Sequence, residues 1–222
     1  QKEERILNQD RFNNLVNLSK MVNNEQSLTQ FNQQVQSFKD DVGDDKNMLP
    51  NILALESYAS STKVDYDIFS DAVGQASKHF SDESYLDKRE EFQVAITDSG
   101  DMTGNLHEIS KNAGYSSVTD FLLNEKEKIN KWSDAINLGL NDKGGSRFRY
   151  NKGNMKDGEV IRNVHDYGKR LDVAIAALGE EGIITAEEAK WIVLGDKANY
   201  NAALTKKENK IAKKIEGVQR KI

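Results

Sequence analysis

The stretch Leu28-Thr29-Gln30-Phe31-Asn32-Gln33-Gln34-Val35-Gln36-Ser37-Phe38-Lys39-Asp40-Asp41-Val42 decides the fold class. Its apolar residues step by 3, 4, 3 and 4 along the chain. That period stacks side chains on one face of an α-helix, whereas a half-buried strand would alternate them. The glutamines fall largely on the other faces, so the segment predicts an amphipathic helix with one buried side. Ser27 with Gln30 three residues on reads as its capping box.

The same spacing recurs outward in both directions. Residues around Ile6 to Val22 repeat it less cleanly. Met48 to Ala59 predicts a short helix with Pro50 in its first turn, and Phe69, Val73, Ala76 and Phe80 mark another. Residues 83–97 mix strand-like alternation at Phe92, Val94 and Ile96 with helix-favouring Glu90, Glu91 and Ala95, and are read as helix. Ser117 to Leu140 carries a stripe of Val118, Phe121, Leu122, Ile129, Trp132 and Ile136. Ile161, Val164, Gly168, Leu171, Ile175 and Leu178 form a seam in which Gly168 admits a close neighbour. Gly182 ends that unit, and Thr185 with Glu188 opens the next. Leu204, Ile211, Ile215, Val218 and Ile222 give a last amphipathic helix. The expectation is an all-α, multi-helix bundle of about seven or eight helices forming one domain over 1–222. One long irregular loop lies near 141–157, and each helix buries one side.

Composition agrees. Pro50 is the single proline, which suits long helices. The chain has no cysteine, which excludes disulfides, thiolate catalysis and zinc–thiolate sites. Mean hydropathy is -0.72, polar for a folded chain. The regular apolar stripes nevertheless argue against disorder. No stretch approaches the roughly 20 apolar residues of a membrane-spanning helix. The chain starts at Gln1 rather than methionine. A leader removed on export explains that start, so the expected location is periplasmic or secreted, with a trimmed cytoplasmic chain as the alternative.

Charge is uneven along the sequence. Residues 1–142 hold 14 Lys and Arg against 25 Asp and Glu, and residues 143–222 hold 17 against 11. The last helix concentrates the excess in Lys206, Lys207, Lys210, Lys213, Lys214, Arg220 and Lys221. Such a run suits an anionic partner, or simply a solvated helix face.

The sharpest local feature is Gly144-Gly145-Ser146-Arg147-Phe148-Arg149-Tyr150-Asn151-Lys152-Gly153. Two arginines alternate with two aromatics between glycines. Guanidinium groups fork onto carboxylates or phosphates, and aromatic rings stack on other rings. Arg147, Phe148, Arg149, Tyr150 and Lys152 are therefore the candidate partner-binding residues. The opposing reading is that Phe148 and Tyr150 anchor a long connection to the bundle while the arginines pair with the acidic first part. The glycine spacing is not that of a phosphate loop.

Ile109-Ser110-Lys111-Asn112-Ala113-Gly114-Tyr115, followed by Phe121, resembles the helix-turn-helix of AraC-type transcription regulators. The resemblance covers about 20 residues and implies a DNA-reading second helix. A further aromatic expected at 125 is Glu125. Residues 117–131 balance Asp120, Glu125 and Glu127 against Lys126, Lys128 and Lys131, which disfavours contact with a dense row of phosphates. By its residues the segment reads as a tight turn between packed helices.

Nothing in the sequence singles out a catalytic set, a metal site or a cofactor. His79, His107 and His165 have no short mutual spacing, and His79 with Glu83 is only two ligands. An echo of a calcium loop around Glu180, Glu181, Glu187 and Glu188 fails, because Ala177 and Gly179 stand at ligand positions. The sequence thus predicts a non-catalytic helical protein that engages a protein or anionic partner through the 144–153 loop and the basic C-terminal helix. The alternatives are a helical hydrolase with convergent carboxylates and a DNA-binding protein using 106–131.

Overall fold

The computed structural model of the chain describes residues 2–82, 102–141, 143, 145–150, 152 and 155–220, with the backbone alone at 102–104. The protein is all-α. Eight helices are described: α1 Lys2–Ser19, α2 Glu25–Val42, α3 Leu49–Phe80, α4 Met102–Asn112, α5 Val118–Asn137, α6 Asp157–Glu180, α7 Ala186–Leu194 and α8 Lys197–Gln219. No strand occurs among the described residues, and the helix read over 83–97 lies outside them.

The buried face of α2 is the stripe Leu28, Phe31, Val35, Phe38 and Val42. Its cap differs from the expectation. Asn24 is the N-cap and accepts from the Ser27 backbone N–H at 2.8 Å, while Ser27 Oγ accepts from the Asn24 N–H at 3.1 Å. Asn is as good a cap as Ser, and starting three residues earlier adds most of a turn.

Two separate helices were expected over 48–80, but α3 is one helix of 32 residues. The buried set Ile52, Leu55, Ala59, Thr62, Tyr66, Phe69, Val73 and Ala76 steps by three and four without a break. Thr62 continues the stripe through the Ser60–Ser61 stretch, and no glycine or proline falls between Asn51 and Val73. Pro50 sits in the first turn, where its missing N–H costs nothing.

The chain divides into two compact units. One comprises Gln1–Ser77 with Asp134–Gly158, the other Lys78–Ser133 with Glu159–Ile222. The first holds 12 Lys and Arg against 15 Asp and Glu, and the second 19 against 21. The acidic and basic halves of the sequence are therefore mixed by the fold, not turned into two bodies of opposite sign.

In the first unit α1 packs on α2, and the Phe31 ring meets Tyr58 of α3 edge-on at 6.1 Å. Each fully buried Phe, Leu or Ile contributes roughly 1.5–3 kcal/mol. In the second unit Phe80 meets Trp132 of α5 and Tyr167 of α6 at 6.1 and 6.2 Å. Gly168 does admit a neighbour, since a Cβ there would lie 3.2 Å from Ile129. On α6 the buried seam runs Val160, Val164, Tyr167, Gly168, Leu171, Ala174, Ile175 and Leu178: five of the six expected residues are buried, Val160 takes the place of Ile161, and Tyr167 and Ala174 widen the seam.

Candidate functional site

The 144–153 loop belongs to the first unit. It closes on its own root: Leu140 and Ser146 form an antiparallel bridge, and Asn141 Oδ1 accepts from the backbone of Lys143 and Gly145 at 3.0 and 2.8 Å. Arg147 N–H donates to the Gly139 carbonyl at 2.6 Å.

Phe148 turns inward, 1% exposed, with its ring against Tyr66 at 5.3 Å and Phe69 at 5.7 Å. Arg147 lies over the Phe148 ring at 4.6 Å and pairs with Asp65 of α3 at 3.1 Å. It also donates to Thr62 Oγ1 at 3.3 Å. Tyr150 donates to the Lys152 carbonyl at 2.6 Å. Lys152 pairs with Glu25, and that hydrogen bond and charge hold its ammonium above the usual lysine range. Arg149 uses its backbone N–H on the Asn23 carbonyl and leaves its side chain exposed. Gly144, Asn151 and Gly153 lie outside the described residues. Of the five candidate residues, four are engaged within their own unit and Arg149 faces solvent.

The C-terminal helix has the opposite character. Gly195, at φ +63°, ends α7 in the left-handed conformation, and a Cβ there would stand 2.6 Å from the backbone of Glu127. Asp196 caps α8, accepting from Asn199 N–H at 3.0 Å, and that bond holds its carboxyl below the usual range. Lys197 and Lys131 pair with Glu127 at 2.5 and 3.1 Å and hold it below the ordinary carboxylate range. Tyr200 is buried, Leu204 half-buried, and Lys207 reaches the buried Glu188 at 2.9 Å. The first turns of α8 are therefore locked to α7 and α5.

Beyond that base the helix is bare. Every residue from Thr205 to Arg220 is exposed. The stripe that buries Tyr200 continues as Ile211, Ile215 and Val218, which are 49, 53 and 59% exposed. The expectation that each helix buries one side fails here, because spacing marks an apolar face but not whether another element covers it.

The helix-turn-helix segment forms the turn expected of it. Gly114 has φ +87°, Tyr115 N–H donates to the Ser110 carbonyl at 2.9 Å, and Ser117 Oγ accepts from Asp120 N–H at 3.1 Å. Its second helix is nevertheless packed in: no residue from 117 to 130 is exposed. A recognition helix lays a face against base edges, and residues 117–130 of this one are buried or half-buried.

Glu125 and Lys126 of that helix are each 5% exposed, a burial of two charges not anticipated from the sequence. Glu125 accepts from Tyr167 at 2.8 Å, Tyr115 at 3.2 Å and Lys128 at 2.9 Å. Lys126 pairs with Asp172 at 2.7 Å. Burial, and then Glu125, push the Tyr115 hydroxyl up to about 12, out of range for proton transfer near neutrality. The signal was present in the sequence: Glu125 stands on the apolar stripe, four residues from both Phe121 and Ile129. This network satisfies buried charge, and it opens onto no described cavity.

Within the first unit an open groove of ≈ 960 Å³ is lined by Glu4, Asp41, Asp44 and Asp45 with Lys2 and Arg5 among others. No three His, Asp or Glu residues gather to hold a metal among the described residues, and no described helix is long and apolar enough to cross a membrane. Compared with known protein families, curated proteins and solved structures, the chain matches none.

Proposed function

We propose that the protein is a non-catalytic helical interaction protein whose docking element is α8, and that its partner presents an apolar surface edged with acidic groups. The observation that carries this is the line of Ile211, Ile215 and Val218, about half exposed on a helix whose base is locked in place. Apolar surface left in water forgoes about 25 cal/mol per Å², and a contiguous exposed patch of it marks an interaction site. The cations Lys210 and Lys214 flank one edge of the line, and Lys206, Lys213 and Arg220 cover the far side, so the partner is anionic as well as oily. Arg149 supplies a second exposed cation on the other unit, with Arg147, Phe148, Tyr150 and Lys152 holding its loop in shape.

The test uses a fluorescent, designed acidic peptide with leucine heptads as the probe. Wild-type chain raises its anisotropy, and the pair Ile211→Gln with Ile215→Gln binds about tenfold more weakly or worse. Equal binding by both proteins, or none by either, overturns the reading.

A further inference from the structure

The partner surface that α8 calls for occurs on the chain itself. Helix α3 buries one face, as described, and displays the other. Leu49, Leu53, Val64 and Ile68 are 48, 56, 54 and 45% exposed. At 3.6 residues per turn they fall within about 100° of one another, along a strip about 30 Å long. Asp67 and Asp71 lie in the same arc, and Glu56 is at its edge. Over 49–77 the helix carries Glu56, Asp65, Asp67 and Asp71 against Lys63. The acidic Asp44 and Asp45 stand just before its first turn.

The two faces match in kind. The exposed part of α8, Thr205 to Gln219, is about 22 Å long and holds a narrow apolar line. Leu204, Ile211, Ile215 and Val218 lie within about 60°, the width of a seam between two helices and narrower than the broad apolar face of a helix lying in a lipid surface. Residues 205–220 hold six Lys and Arg against Glu208 and Glu216. Pairing two copies of α8 with each other would set cations against cations. Pairing α8 with α3 sets cations against Asp71 and against Asp67, which within its own helix bonds Lys63 at 2.5 Å, and isoleucines against Val64, Ile68 and the leucines.

We infer that the occupant of the α8 stripe is a second copy of this chain, docked through the outer face of its α3. The inference rests on α8 being a docking element, as proposed above. The contact is head-to-tail: the surface used by one copy differs from that used by its neighbour. Each bound copy still offers one free face of each kind, so such contacts build rings or filaments.

Sedimentation velocity over a range of concentrations tests this. The wild-type chain grows in mass with concentration and returns to a single chain at high salt. Ile211→Gln with Ile215→Gln on α8 weakens association about tenfold or more, and Val64→Gln with Ile68→Gln on α3 does the same. Circular dichroism shows both variants folded. The decisive step mixes them. Each retains the face that the other lost, so the mixture forms one-to-one pairs and nothing larger.

Association lost in the α8 variant but kept in the α3 variant overturns the inference in favour of like-with-like helix pairing. Loss instead on Asp44→Lys with Asp45→Lys, with the α3 variant unaffected, moves the contact to the acidic groove and also overturns it. A wild-type chain that stays single at all concentrations overturns it too. In that case binding of the acidic heptad peptide leaves α8 as a docking element for another protein, sedimentation with anionic vesicles without peptide binding replaces that partner with a lipid surface, and the absence of both removes the docking reading as well.

Discussion

The 144–153 loop and the C-terminal helix are built from the same materials, cations set among apolar side chains, and the protein uses them in opposite ways. The loop turns Phe148 into the first unit and spends Arg147 and Lys152 on Asp65 and Glu25. The helix buries Tyr200 at its base and then carries three isoleucine- and valine-sized side chains into water. The difference lies in what each segment can reach. A loop bends until its aromatic finds a pocket, whereas a rigid helix can cover only what lies along its straight axis.

The sharpest way to break that comparison is to truncate one apolar residue from each region. Phe148→Ala should cost about 3–5 kcal/mol, the usual penalty for emptying a buried phenylalanine site. Ile215→Ala should stay within about 0.5 kcal/mol, as exposed positions do. Urea unfolding followed by circular dichroism reads both. Similar losses at the two sites, at a concentration where the chain is single, would mean that α8 is covered in solution by its own chain.

A second experiment addresses the base of the helix. Gly195→Ala forces a side chain into the left-handed region, and a Cβ would stand 2.6 Å from the Glu127 backbone. The two effects together should cost about 2–4 kcal/mol, visible as a lowered thermal midpoint. A change below the resolution of the melt would show that the α7–α8 elbow is not fixed as described.

The smallest expected effect is on pH dependence. Glu127 titrates below its ordinary value of 4.5 because Lys197 and Lys131 bond and attract it. A carboxyl depressed in the folded state lends stability that is complete above its unfolded value and lost as pH falls through its folded one. Thermal midpoints should therefore decline on the acid side of pH 4.5, and Glu127→Gln should flatten that decline slightly. An unchanged acid limb would mean the two lysines leave Glu127 when the chain is in solution.

Much of the helical framework was legible in the residues, since a stripe such as Leu28–Val42 admits one local structure. The union of 48–59 with 69–80 was legible in principle, through the part-polar stripe residues Thr62 and Tyr66, which join Ala59 to Phe69 and which a strictly apolar pattern skips. Two things were not. Periodicity says that Ile211, Ile215 and Val218 share a face, but coverage depends on where other helices run. The composition of the loop fits a ligand cradle and an anchor equally well. Tyr66 and Phe69, the rings that meet Phe148, are distant from it in sequence, so its burial could not be read there. The resemblance at 109–121 found a real turn, while the burial of the following helix followed from its long run of Phe121, Leu122, Ile129 and Trp132.

The clamp around Gly195, Asp196 and Tyr200 has a kinetic meaning. An arm already stiff and already aimed gives up little freedom when it is gripped, so little of the contact energy is lost to ordering. Capture should then be limited by how fast oppositely charged surfaces find each other, a rate that falls as salt screens them.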